Sequence, residues 1–140
     1  MKVGLYFGSF NPIHVGHLII ADTMQDQTEL DEVWFIVSPQ NPMKSSKSLL
    51  HEFDRLKMVE LATADHFSFK VKDVEFHMPR PSFTIDTLTY LTAQYPSYEF
   101  SLILGSDNLN HFHKWKNSEE LLKQYKLYVY PRPGKNKKVT

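Results

Sequence analysis

The stretch Gly8-Ser9-Phe10-Asn11-Pro12-Ile13-His14-Val15-Gly16-His17 carries residue types that could hold a polyphosphate. His14 and His17 are three residues apart, so on a helix both imidazoles can lie on one side of the first turn. A helix that begins near Gly16 directs its amino-terminal N–H groups and the positive end of its dipole into the same space. Gly8 leaves the turn free to present backbone amides, and Gly16 lets a ligand or a ring pack directly against the backbone. Amides and two imidazoles at a helix start predict phosphate binding.

The histidine pair has two other interpretations, a metal site and a structural role. Zinc usually needs three or four protein ligands, and no carboxylate lies close to His14 and His17 in the sequence. An isolated pair would by default be structural, with His14 capping a helix and His17 on the surface. The turn lacks the G-x-x-x-x-G-K-[ST] of P-loop enzymes and the G-x-G-x-x-G of dinucleotide-binding dehydrogenases, so neither of those sites is predicted.

Short apolar segments alternate with segments of helical periodicity along the chain. The patterns predict strands at 3–7, 32–37, 69–76, 100–104 and 127–130, and helices at 16–27, 50–64 and 118–125. A further helix is predicted after Ser82, with Ile85, Leu88, Leu91 and Tyr95 on one face. Ser82 and Ser118 stand at the N-cap positions of the last two helices. Strands that alternate with helices predict an α/β, Rossmann-like fold with a mainly parallel five-stranded sheet and helices on both faces. Ligands bind such sheets beyond the carboxyl ends of the strands.

Composition excludes several other classes of protein. The 140 residues are 41% apolar and 23% charged, which is typical of a globular domain. Cysteine is absent, so disulfides, thiol catalysis and cysteine-ligated metals are excluded. Sixteen basic residues balance sixteen acidic ones, which argues against nucleic acid or an anionic membrane as a partner. No apolar run approaches the roughly 20 residues of a membrane span, and we expect a cytoplasmic protein.

The first motif resembles the (T/H)-x-G-H signature of the nucleotidyltransferase superfamily. Four further segments follow in matching order and spacing: Pro81-Ser82-Phe83-Thr84-Ile85-Asp86-Thr87-Leu88, Gly105-Ser106-Asp107-Asn108, Lys114-Trp115 and Arg132-Pro133-Gly134. Together they resemble bacterial nicotinate-nucleotide adenylyltransferases. His14, where the pantetheine-phosphate adenylyltransferases and cytidylyltransferases often carry threonine, argues against those two branches, as do the 81–88 and 105–115 segments.

The resemblance implies a reaction of NAD biosynthesis. The adenylyl group of ATP passes to nicotinate mononucleotide by direct in-line displacement, giving deamido-NAD and pyrophosphate. The incoming phosphate is already anionic, so the protein has to position two anions and stabilise charge. Mg²⁺ bridging ATP oxygens is implied as the cofactor, with no protein ligand assigned to it.

The resemblance also assigns residues. It implies His14, His17 and Lys44 as catalytic residues, with a protonated His17 acting most in the transition state. ATP binding is implied for Gly8, Ser9, Phe10, His14, His17, Gly105, Asp107 and Arg132. Nicotinate mononucleotide binding is implied for Lys44, Thr84 and Trp115, with the pyridine carboxylate at the helix start that holds Thr84 and the indole of Trp115 stacked on the ring.

Each assignment also has an ordinary structural alternative. Lys44 and Arg132 can be solvated charges, Thr84 a plain first-turn residue, Trp115 a core residue and Asp107 a helix cap. The remaining histidines are interpreted as surface or satisfied polar groups: His51, His66, His77, His111 and His113.

The chain departs from the family pattern at its end. Family members carry a later Ile-Ser-Ser-x-x-Ile-Arg segment that binds the β- and γ-phosphates of ATP, and these 140 residues do not contain it. We therefore expect a nucleotidyltransferase domain at 1–134, a basic tail at 135–140, and weak or no activity for these residues alone. A non-catalytic nucleotide-binding protein, and nicotinamide mononucleotide as the acceptor, remain as alternative interpretations.

Overall fold

Five parallel strands form the centre of the fold, in the order β3-β2-β1-β4-β5. The computed structural model describes residues 1–39, 50–80 and 82–131. The strands are β1 (Lys2–Gly8), β2 (Glu32–Val37), β3 (Phe69–Lys72), β4 (Glu99–Gly105) and β5 (Lys126–Tyr130). The α/β, Rossmann-like class predicted from the sequence is confirmed.

Helices cover both faces of this sheet. They are α1 (Val15–Gln27), α2 (Glu52–Thr63), α3 (Thr84–Gln94), α4 (Ser106–Leu109) and α5 (Ser118–Gln124). Residues of α1 and α2 pack in one apolar cluster, and residues of α3 and α5 pack in a second cluster across the sheet. The alternating direction of strand side chains builds both clusters, since Val33 and Phe35 of β2 enter the first while Trp34 and Ile36 enter the second.

The order of the strands in the sheet changes direction at β1: β2 and β3 lie on one side of it, and β4 and β5 lie on the other. β1 pairs with β2 on one side and with β4 on the other, so the segments that leave β1 and β4 lie next to each other at the carboxyl edge. Ligands of open parallel sheets bind at such a switch point. The segments after Gly8 and after Gly105 therefore define where a site is expected.

The strand predicted at 69–76 is wrong in its second half. β3 ends at Lys72, which pairs with Ile36 of β2. Because β2 itself ends at Val37, the residues after Lys72 have almost no neighbouring strand to pair with. The chain then forms a 3₁₀ turn at Val74–His77 that carries Glu75 into the interior. The alternating polar and apolar residues of 69–76 fit a strand, but the length of the neighbouring strand decides the outcome.

Neither predicted serine cap is present. The N-cap of α3 is Phe83, without a side-chain cap, because the Ser82 hydroxyl hydrogen-bonds to the Glu75 carboxylate instead. The N-cap of α5 is Asn117 in the left-handed conformation, and Ser118 donates to the carbonyl of His113 at 3.3 Å. Both hydroxyls find partners outside their own helix, which sequence spacing does not reveal.

Within the described ranges, none of the helices is long and apolar enough to cross a membrane. The longest, α1, has 13 residues, against the roughly 20 that a span needs.

Glu75 links the 3₁₀ turn to α3 and gives a pH-dependent prediction. Its carboxylate accepts a hydrogen bond from Thr87 Oγ1 at 2.7 Å, and burial raises the pKa of Glu75 above its ordinary value of 4.5. A raised carboxyl pKa means that ionisation disfavours the folded state, so stability is lost as pH rises through the folded pKa. Glu75→Gln keeps an acceptor for Thr87 without the charge. The stability of the variant relative to wild type should therefore increase with pH.

Urea denaturation of Glu75→Gln, wild type and the exposed control Glu119→Gln from about pH 4 to about pH 8 measures this difference. A constant difference between Glu75→Gln and wild type across that range would contradict the argument.

Candidate active site

The start of α1 is built by two histidines that cap it reciprocally. Nδ1 of His14 accepts a hydrogen bond from the backbone N–H of Gly16 at 3.0 Å. Nδ1 of His17 accepts one from the backbone N–H of His14, also at 3.0 Å. The two rings stack with centroids 3.9 Å apart. The predicted juxtaposition of the imidazoles is therefore present, and the capping role that the structural alternative gave to His14 is present with it.

These bonds define the chemical form of both rings. A nitrogen that accepts a hydrogen bond carries no proton, so the single ring proton of each neutral imidazole lies on Nε2. A protonated ring would carry hydrogens on both nitrogens and could not accept at Nδ1. A protonated His17 would have to give up its capping bond to the backbone N–H of His14, and the protonated form that the family resemblance implied stays a prediction.

Gly16 makes the close packing of the His14 ring possible. A Cβ at this position would lie 2.8 Å from Cε1 and 2.9 Å from Nδ1 of His14. The prediction that Gly16 lets a ring pack against the backbone is confirmed, and the ring is that of His14. The first turn of α1 has no acidic side chain, so nothing there offsets the attraction of the helix start for an anion.

Phe10 anchors the segment between β1 and α1 in the core. Its ring is buried, lies 3.1 Å from the position that a Cβ on Gly8 would take, and meets the His17 ring edge-on at 5.0 Å. Its backbone adopts the left-handed conformation, with φ of 48°, which costs a bulky residue about 1–3 kcal/mol. Because Gly8 has no side chain, the Phe10 ring can pack against it in the core, and the burial of the ring offsets the backbone strain. The ring of Phe10 is thus part of the core and is not available to a ligand.

Arg55 of α2 is a residue of this region that the sequence did not reveal. Its side chain is 1% exposed and donates to four backbone carbonyls, those of Ser9, Ser38, Pro39 and Leu50. Burial lowers the pKa of the guanidinium from its ordinary value. The only signal in the sequence was an arginine among the apolar positions of a predicted helix.

The residues after β4 lie beside this region. Gly105 is buried and is the N-cap of α4, a single turn whose first-turn residues include half-buried Asp107. Because β4 pairs with β1, this turn and the start of α1 share the carboxyl edge of neighbouring strands. The structure thus brings Gly105 and Asp107 to the edge that also carries His14 and His17.

A second group of predicted residues gathers at the start of α3. Thr84 is the first residue of that helix, and Trp115 packs partly buried on the same apolar cluster as α3. Lys116 joins the two segments, since its Nζ lies 3.5 Å from Asp86 Oδ2 and 5.0 Å from the centre of the Phe83 ring. Trp115 is therefore held close to the helix start that contains Thr84.

Two predicted site residues, Lys44 and Arg132, lie outside the described residues, as does the predicted tail at 135–140. Their roles stay predictions. Of the histidines without a predicted role, His51 caps α2 by accepting from the backbone N–H of Phe53 at 3.2 Å. His66 stacks on Phe69, and His77 lies 3.3 Å from Asp73.

A helix start with two imidazoles at the switch point of a parallel sheet is the arrangement of a Rossmann-like nucleotide-binding protein. Residues 5–140 match the family model described as cytidylyltransferase-like. The chain belongs to this family and, within it, to the nicotinate-nucleotide adenylyltransferases, as its relatives indicate.

Those relatives are bacterial proteins of high similarity. A probable nicotinate-nucleotide adenylyltransferase of Cytophaga hutchinsonii is 61% identical over 133 residues, which cover 95% of this chain and 69% of the relative. The corresponding protein of Flavobacterium psychrophilum is 54% identical, with 94% and 68% covered.

Solved structures share the fold at lower identity. Plasmodium falciparum nicotinic acid mononucleotide adenylyltransferase complexed with NaAD superposes with a TM-score of 0.75 at 23% identity, covering 94% of this chain and 75% of that one. At this identity the likeness concerns the fold alone.

The contact between Gly16 and the His14 ring predicts the outcome of a double-mutant cycle. Gly16→Ala should lower the free energy of unfolding by about 1–2 kcal/mol, because the new methyl group displaces the capping ring. In a His14→Ala background the same change should be neutral or stabilise by up to about 1 kcal/mol, since alanine favours helix and no ring remains to displace. Urea denaturation of the four proteins measures both effects. Equal effects of Gly16→Ala in the two backgrounds would show that the ring does not pack on this glycine.

Proposed function

We propose that this chain transfers the adenylyl group of ATP to nicotinate mononucleotide, forming deamido-NAD and pyrophosphate. The observation that carries the proposal is the pair of stacked imidazoles at the start of α1, at the switch point of the sheet. The proteins of Cytophaga hutchinsonii and Flavobacterium psychrophilum are named for this activity, and their similarity supports it.

The reaction is a displacement at the α-phosphorus of ATP. A phosphate oxygen of the mononucleotide forms a bond to that phosphorus while the bond to pyrophosphate breaks on the opposite side. Both reactants are anions, so the protein contributes by holding them in line and by stabilising charge on the phosphates. The backbone of Gly8, Ser9 and Phe10 would supply donors for this purpose, and the positive end of the α1 dipole adds attraction for the phosphates, since the Gly16 N–H at the helix start is already bonded to His14.

The histidines act as donors in this mechanism. With each Nδ1 engaged by the backbone, His14 and His17 offer Nε2–H to phosphate oxygens. Neither ring has a nitrogen lone pair available for attack on phosphorus, so no covalent histidine intermediate forms. The capping bonds also orient the rings before ATP binds, so the free-energy cost of orienting these donors does not add to the reaction barrier.

The adenosine is assigned to the segment after β4. Gly105 has no side chain to keep the nucleoside away from the strand end, and the Asp107 carboxylate is an acceptor suited to ribose hydroxyls. This segment neighbours the start of α1 through the pairing of β4 with β1. One nucleotide can thus contact both segments, with its phosphates at α1 and its ribose at α4.

The acceptor is assigned to the start of α3. The N-cap residue Phe83 provides no side-chain acceptor. A pyridine carboxylate can therefore accept hydrogen bonds from the first N–H groups of the helix without displacing a capping side chain. Trp115 supplies an aromatic face beside that helix start, held there through the contacts of Lys116 with Asp86 and Phe83. A carboxylate suits this site better than the neutral amide of nicotinamide mononucleotide, because the helix dipole attracts negative charge.

Mg²⁺ is proposed to enter with ATP. The described residues contain no group of three or more histidine, aspartate or glutamate side chains that could hold a metal ion, and no protein ligand is assigned to it. When bound, the ion would neutralise charge on the phosphates. The protein's own contribution rests on the amides and imidazoles described above.

Product formation tests the proposal. Chromatographic detection of deamido-NAD is the appropriate measurement, with nicotinate and nicotinamide mononucleotides compared as acceptors. His17→Ala should lower the rate by about 10²–10³-fold, as for loss of one preorganised transition-state donor. His66→Ala, at the opposite edge of the sheet, is the matched control and should retain the wild-type rate.

Three outcomes would count against the proposal. ATP binding without any product would favour the non-catalytic alternative. Equal use of the two mononucleotides would contradict recognition of the carboxylate at α3. An unchanged rate in His17→Ala would remove the imidazole from the reaction.

A further inference from the structure

The guanidinium of Arg55 joins three segments that are distant in sequence. Nη1 donates to the carbonyls of Ser9 at 2.7 Å and Ser38 at 2.6 Å, Nη2 donates to that of Pro39 at 2.6 Å, and Nε donates to that of Leu50 at 2.9 Å. Ser9 follows β1, while Ser38 and Pro39 follow β2. One side chain therefore fixes the spacing of the chain segments that leave two neighbouring strands.

This arrangement is costly if its only purpose is to fill space. A buried cation loses its hydration, and here four carbonyl dipoles compensate for that loss. Glu52 adds a coulombic attraction but no hydrogen bond to Arg55, since its carboxylate bonds bidentately to Arg80 with both distances at 2.8 Å. An apolar side chain of similar volume often stabilises the folded protein as much as a buried charged side chain, or more. The geometry that the guanidinium imposes on its carbonyls is thus what distinguishes arginine at this position.

That geometry determines the direction of the Phe10 amide. In a planar trans peptide the carbonyl and the following N–H point in opposite directions. The Ser9 carbonyl points inward to Arg55, so the N–H of Phe10 points away from the guanidinium. The other end of this short segment is held as well, because Asn11 Oδ1 accepts from the backbone N–H of Leu50 at 2.8 Å.

We propose that Arg55 is a positioning residue for ATP: by holding the Ser9 carbonyl inward, it turns the Phe10 N–H outward as a donor to an ATP phosphate. This role rests on the proposed function, in which the backbone at 8–10 binds ATP. It adds a residue of α2, remote from the (T/H)-x-G-H motif, to the determinants of ATP affinity. Arg55 itself does not contact the nucleotide.

Kinetics of Arg55→Lys and Arg55→Met separate positioning from a purely structural role. Both variants should raise KM for ATP about 10-fold or more, which corresponds to about 1.4 kcal/mol, and should leave KM for nicotinate mononucleotide within about twofold. A purely structural role would reduce the folded fraction, which lowers kcat per total protein without changing either KM. Arg80→Gln, which removes the exposed arginine bonded to Glu52, is the matched control and should retain wild-type constants.

A wild-type measurement keeps the proposal testable if both variants fail to fold. Titration of ¹⁵N-labelled protein with a non-hydrolysable ATP analogue should shift the Phe10 amide resonance strongly. ATP binding with an unperturbed Phe10 amide, or folded variants that keep the wild-type KM for ATP, would overturn the role of Arg55. Absence of nucleotide binding by wild type would instead contradict the proposed function.

Discussion

Two reciprocal hydrogen bonds at the start of α1 determine both the position and the chemistry of the histidine pair. Each imidazole uses Nδ1 to satisfy a backbone N–H that the helix cannot satisfy itself, so forming the helix and orienting the rings are one event. The same bonds leave the ring proton on Nε2 and remove the lone pair that a nucleophile would need. In the proposed mechanism the two rings therefore donate hydrogen bonds to phosphates, and no covalent histidine intermediate is expected.

The core supports this helix start from two directions. The buried ring of Phe10 contacts Tyr6 at 5.4 Å and Phe35 at 5.6 Å on one side, and the His17 ring on the other. Arg55 holds the backbone just before Phe10 from the opposite side of the segment. The backbone that is proposed to bind phosphate thus lies between hydrophobic packing and a buried guanidinium. We expect changes in the core beneath Phe10 to alter the position of this backbone.

The sequence predicted the elements whose signals are local. Continuous apolar runs predicted the buried strands, and the spacing of His14 and His17 predicted that their rings lie together at the start of α1. It failed where the outcome depends on a distant neighbour, as at 69–76, where the end of β2 limits β3, and at Ser82, which bonds to Glu75. Arg55 was missed for the same reason, because its burial depends on carbonyls from segments brought together only by the fold.

The stereochemical course at the α-phosphorus tests most directly whether the histidines donate to phosphates without becoming covalently bonded. One diastereomer of ATP that carries sulfur on the α-phosphorus would be converted with nicotinate mononucleotide, and the configuration of the product would be assigned by ³¹P NMR. A single in-line displacement predicts inversion at phosphorus. Retention would require two successive displacements through a covalent adenylyl-protein intermediate, and it would contradict the account given for His14 and His17.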